Sequence, residues 1–197
     1  MKRVITTFTL FVGSVCLFGA EQDLSGIYDP GTLKPVDSHL LVDIGERAPD
    51  FELPAIDASQ VRLSEYQGKH HVILTFVPAA WTPVCSAQWP GYNLMQDEFA
   101  ELDAVVIGVT VDNIPTLHAW VEAMGGLDFP VLSDFYPHGA VAQRYGILRS
   151  DGTAERALFI IDKQGIIRFI DVHDINVRPP LEDLFEALEK IRTMEGR

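Results

Sequence analysis

One apolar run dominates the pattern of the chain: His71-Val72-Ile73-Leu74-Thr75-Phe76-Val77 is β-branched and almost unbroken, which predicts a strand buried on both faces. Pro78 stops it. A second such run, Ala104 to Val111, predicts another central strand. Between them the pattern turns helical from Thr82 to about Leu102, with a kink expected at Pro90-Gly91. Ile114 to Ala123 carries Leu117, Trp120 and Val121 at helical spacing. Phe129 to Leu132 predicts a short strand closed by Ser133-Asp134, and Gly139 to Tyr145 a short helix. Ala157 to Ile161 and Ile166 to Val172 flank the turn Asp162-Lys163-Gln164-Gly165 as a hairpin. Pro180 to Arg192 closes the domain as an amphipathic helix, with Leu181, Leu184, Phe185, Leu188 and Ile191 as its stripe. Earlier, Asp50 to Leu53 alternates like a short strand that Val61-Arg62-Leu63 would pair. Alternating strands and helices followed by a hairpin imply an α/β fold, a mixed central sheet with helices on both faces.

The two ends of this pattern differ. Met1-Lys2-Arg3 is followed by an uncharged apolar run to Ala20, the charge and length pattern of a signal peptide, with a retained anchor or a lipoprotein modified at Cys16 as the alternative. Export, to a bacterial periplasm, is therefore expected. Residues 21–44 are rich in Asp, Gly, Pro and Ser and are read as a linker or surface arm. The folded domain is expected over 45–197.

Composition narrows the chemistry. With 197 residues, 47% hydrophobic, the chain is large enough for one full core. The formal charge of −13, which becomes −15 without Lys2 and Arg3, offers no basic footprint for nucleic acid. Only Cys16 and Cys85 are present, so cleavage after Ala20 leaves Cys85 alone, and no CxxC pair exists for a dithiol motif or a cysteine zinc site. The six histidines show no metal-ligand spacing, and no phosphate loop occurs. No cofactor is implied.

Cys85 has a distinctive setting. A buried strand ends at Pro78, a short loop turns, Thr82 suits a helix N-cap and Pro83 the first helical position. Cys85 then falls at the third helical residue, where unsatisfied N–H groups and the positive end of the helix dipole favour a thiolate. Full ionisation raises the reactive fraction of an ordinary thiol by roughly thirtyfold at neutral pH. Enzymatic accelerations are far larger, so fixed donors that orient a substrate and stabilise a departing charge are also required. The residues alone leave open a plain buried cysteine, a Thr82 that only caps and an Arg156 that is only a surface cation.

Pro78-x-x-x-Thr82-x-x-Cys85 resembles the PxxxTxxC motif of the peroxiredoxins. Gly45 to Phe51, Leu132 to Val141, Thr153 to Asp162 and Gly165 to Arg168 resemble further segments of that family in the same order. The likeness spans about 45–192 and is greatest to the one-cysteine, alkyl hydroperoxide reductase E-like members. It implies a thioredoxin-like fold with Cys85 as the peroxidatic nucleophile and Thr82 hydrogen-bonded to the thiolate or the peroxide. Pro78 would shield the site, and Arg156, with Arg144 as the weaker rival, would polarise the O–O bond. It also implies a peroxide substrate, an external thiol reductant (thioredoxin-like, glutaredoxin-like or of low molecular weight) and, by analogy, a homodimer. Gln88 departs from the glutamate common at that position. The competing classes are a thioredoxin-like thiol–disulfide or cytochrome-maturation protein, disfavoured by the missing CxxC, and a redox-inactive binding domain.

Overall fold

The computed structural model describes residues 23–195; the expected signal or anchor segment, with Cys16, lies outside them. Its centre is a five-stranded mixed sheet in the order β5-β4-β3-β6-β7. β3 (His71–Phe76) is buried at every position, as its unbroken apolar run requires. It pairs in parallel with β4 (Ala104–Thr110) and antiparallel with β6 (Arg156–Ile161). β5 (Val131–Ser133) extends the parallel half, and β7 (Ile167–His173) completes the hairpin on the other edge.

Two cores cover the two faces. Alternation sends Val72, Leu74 and Phe76 to one side, where they meet α4 (Ala140–Tyr145) and the small hairpin of β1 (Glu52–Pro54) and β2 (Gln60–Arg62). Phe76 and Tyr145 both pack edge or tilted against Phe159 and each other there. Ile73 points to the opposite face, under α1 (Pro83–Asn93), α3 (Ile114–Ala123) and α5 (Leu181–Glu195). In α5, Leu184, Leu188 and Ile191 are buried as the stripe predicts, while Leu181 and Phe185 pack at its margin and Ala187 joins the buried face.

The helix expected from Thr82 to Leu102 is two helices. Pro90 is accommodated inside α1, and the break falls later, at Leu94-Met95, before α2 (Gln96–Ala100). Tertiary bonding sets that point: the Asn93 side chain accepts from Asp128 N–H at 2.6 Å and donates to its carboxylate at 3.2 Å. Phe99 then turns in to stack on Phe185. Segment 23–44 has no helix or strand, but backbone bonds tie it to the domain. Among the described residues, no helix is long and apolar enough to cross a membrane.

Candidate active site

The site forms where β3 hands over to α1. Val77 N–H still bonds to β4, through Val109 O at 3.2 Å, and the buried Pro78 then withdraws from the ladder. Ala80 N–H donates to Asp112 Oδ2 at 2.8 Å, which pins the loop to the end of β4; Thr110 Oγ1 donates to the same oxygen at 2.6 Å. Trp81 adopts the left-handed region (φ 62°), a conformation that a bulky residue holds only when its surroundings enforce it. Thr82 follows at the N-cap position and Pro83 at the first helical position. Contrary to expectation, the Thr82 side chain does not cap: its hydroxyl donates to Ala79 O at 2.9 Å. The bond turns its lone pairs outward as acceptors and leaves the early N–H groups of α1 without side-chain competition.

Cys85 is fully buried, a free thiol in the first turn of α1. Its Sγ accepts from Arg156 Nη2 at 3.4 Å. Arg156, at the start of β6, is itself only 1% exposed, so its orientation depends on its bonds. Nη2 and Nε donate to Ile175 O at 3.0 and 3.3 Å, and Nη1 donates to Gln88 Oε1. Gln88 in turn donates to Tyr92 Oη at 2.9 Å and to Thr75 Oγ1 at 3.4 Å. Burial pushes the Tyr92 hydroxyl well above its ordinary range, which keeps it a neutral acceptor. The guanidinium is thus locked as a planar fork by neutral partners, with the sulfur as its remaining ligand.

The three motif residues Pro78, Thr82 and Cys85 and the arginine of the resembling strand, Arg156, line one cavity of about 620 Å³. Arg144 lies elsewhere, exposed and bonded to Asp50 O at 2.7 Å. Trp89 belongs to the core, 5.0 Å from Trp120, whereas Trp81 is half-buried beside residues 24–28. Sequence reasoning missed three contributions. Gln88 stood out only as a departure, not as the side chain that seats Arg156. The Ile175 carbonyl and Asp112 carried no visible signal, although an aspartate just past an apolar strand (Thr110-Val111-Asp112) is a usual place for a loop anchor.

Comparison with known proteins fits this geometry. A model of the AhpC/TSA family matches residues 44–170. Alkyl hydroperoxide reductase E of Mycobacterium tuberculosis is 37% identical over 133 residues, covering 67% of this chain and 86% of that protein. The chloroplastic 2-Cys peroxiredoxin BAS1 of Arabidopsis thaliana is 32% identical over 162 residues, 77% of this chain and 60% of the relative. Among solved structures, the reduced 2-Cys peroxiredoxin of Plasmodium vivax superposes with a TM-score of 0.73 at 27% identity, covering 79% of this chain and 84% of that one. The fold is therefore thioredoxin-like, and the chain belongs to the AhpC/TSA family, as an oxidoreductase of the peroxiredoxin class.

Proposed function

We propose that this thiol-dependent peroxidase reduces its peroxide at Cys85, with Arg156, Thr82 and Pro78 completing the catalytic group. The observation that carries the assignment is the 3.4 Å contact of the locked Arg156 fork with the buried sulfur. Arg156, in contact with the sulfur, stabilises negative charge as it develops on the peroxide. The Thr82 oxygen, its proton committed to Ala79 O, accepts a hydrogen bond from the peroxide O–H and aligns it. Pro78, buried and without an N–H, keeps competing donors and water from the sulfur.

The thiolate attacks one peroxide oxygen in line. An S–O bond forms, the O–O bond breaks, and the departing alkoxide or hydroxide takes a proton to leave as alcohol or water. Cys85 becomes a sulfenic acid. An external thiol condenses with it, releasing water and forming a mixed disulfide, and a second thiol equivalent restores the cysteine. Gln88 occupies the place a CxxC partner would take and is bonded to Arg156, which favours this scheme over dithiol exchange.

Stoichiometric peroxide followed by intact-mass analysis is expected to add one oxygen to the wild-type chain, at Cys85. Cys85→Ser is expected to lose both that adduct and peroxide consumption with dithiothreitol. Equal turnover by the variant would refute the assignment. The reductant is proposed to be a thioredoxin-like or small thiol, and a homodimer is proposed by analogy with relatives. Export is proposed from the charge and length pattern of residues 1–20. The mature protein recovered from cells should begin near residue 21, and an intact Met1 would contradict this.

A further inference from the structure

Segment 23–44 precedes nearly all of the family match, which begins at residue 44, yet it borders the active site. Tyr28 to Leu33 line the same cavity as Cys85 and Arg156. The segment is bonded down on both sides of this stretch. Tyr28 N–H donates to Trp81 O at 2.8 Å, next to Thr82, and Gly26 lies against the Trp81 ring. Leu33 is held at both of its polar atoms by one side chain: its N–H donates to Asn176 Oδ1 at 2.8 Å, and its carbonyl accepts from Asn176 Nδ2 at 2.9 Å.

Beyond Leu33 the anchor is ionic and buried. Glu155 is 0% exposed, one residue before Arg156, and the chemistry at the sulfur makes no use of it. One of its oxygens accepts from Arg149 Nη1 at 2.5 Å and the other from Asp37 N–H at 2.5 Å. Arg149 also donates to Lys34 O at 2.9 Å. A buried charge pair is costly unless its remaining lone pairs and protons are satisfied, and segment atoms supply two of those partners, while Arg149 Nε has no hydrogen bond and lies 3.8 Å from Asp151 Oδ2. Pro35 O accepts from Ile175 N–H at 3.1 Å, and the Ile175 carbonyl holds Arg156.

The half-open cleft so lined is out of proportion to hydrogen peroxide. A water molecule's share of liquid volume is about 30 Å³, and cavities of several hundred Å³ suit ligands with a substantial carbon skeleton. This cavity is about 620 Å³, and Tyr28, Pro30, Leu33, Val84 and Ile175 give it apolar walls.

We propose that Tyr28–Leu33 is a specificity wall, which turns the cysteine cleft into a pocket favouring hydroperoxides with a bulky apolar body over hydrogen peroxide. The proposal rests on Cys85 being the peroxidatic residue. Its test uses full-length protein and second-order rates of Cys85 oxidation by cumene hydroperoxide and by hydrogen peroxide. Leu33→Ser removes an apolar wall, and Leu33→Trp fills the pocket from the same position. Each is expected to lower the cumene-to-hydrogen-peroxide rate ratio about tenfold, the scale of a lost or obstructed apolar contact. Leu33→Ser suffices if the larger residue prevents folding. A ratio unchanged within twofold overturns the wall, as does a parallel fall in both rates, which would mean the segment acts only through Arg156. A wild-type chain oxidised by neither peroxide overturns the catalytic assignment as well.

Discussion

At the residue scale the site is governed by how an arginine is held. A lysine keeps the charge of Arg156 but not its planar fork, and one ammonium cannot span Gln88, the Ile175 carbonyl and the sulfur in the arrangement seen here. Arg156→Lys is therefore expected to slow Cys85 oxidation by about a hundred- to a thousandfold, the usual cost of removing a preorganised donor. Rapid-quench mass analysis at fixed peroxide, normalised to folded protein, measures it; a loss under tenfold would mean that charge alone suffices. Sequence reasoning reached Cys85 and Arg156 because one lies in a compact motif and the other in a resembling strand. It did not reach Gln88 as a partner of Arg156, because a glutamine on a helix reveals nothing until the strand residue packed against it is known. Thr82 was legible as a residue type suited to a cap but not in its bonding, since the choice between a helix N–H and Ala79 O depends on the loop's path.

At the element scale, α1 must present Cys85 at a fixed height above the sheet, and Trp89, one turn on, sets that height. Trp89 is fully buried between Trp120 and Phe129 and lies over Gly108 of β4. A Cβ at residue 108 would stand 2.9 Å from the Trp89 ring and 3.2 Å from Phe129. Neither aromatic ring is a flexible chain end, so Gly108→Ala has to lift the helix or open the core. A destabilisation of about 1–3 kcal/mol is expected from such overpacking. Urea denaturation checks it, and an unchanged midpoint would show that α1 is not seated on this contact. Strands β3 and β4 and helix α3 were readable because burial on both faces and a 3.6-residue period leave clear marks. The division of α1 from α2 was not. Pro90 is the obvious local breaker, but the break is made by Asn93 binding Asp128, residues with no sequence pattern in common.

At the scale of the whole molecule, contacts between distant segments decide what no periodicity records: segment 23–44 along the cavity, and α5 against the start of β3. His71 opens β3 and is 3% exposed. Its Nε2 lies 3.4 Å from Glu195 Oε2 in the last turn of α5, while Nδ1 has no hydrogen-bond partner. Burial lowers its pKa from the ordinary value, and Lys163 adds to this, outweighing the opposite pull of Glu195, Asp162 and Asp103. The ring is thus neutral at pH 7, with Nε2 close to the Glu195 carboxylate. Because the folded value lies below the unfolded one, about 6.5, the unfolded chain binds this proton first as pH falls. The stabilisation is complete above that value and is lost as pH drops toward the folded value, at no more than about 1.4 kcal/mol per pH unit for one proton. Asp134 and Asp171 act with the opposite sign, since burial raises both and acid relieves them. A difference measurement therefore isolates the histidine. Between pH 7 and 5, the urea midpoint of the wild type should fall more steeply than that of His71→Leu, which keeps the buried volume but carries no proton. Parallel profiles would mean that His71 takes up its proton alike in the folded and unfolded chains, and that α5 is held to β3 by its apolar stripe alone.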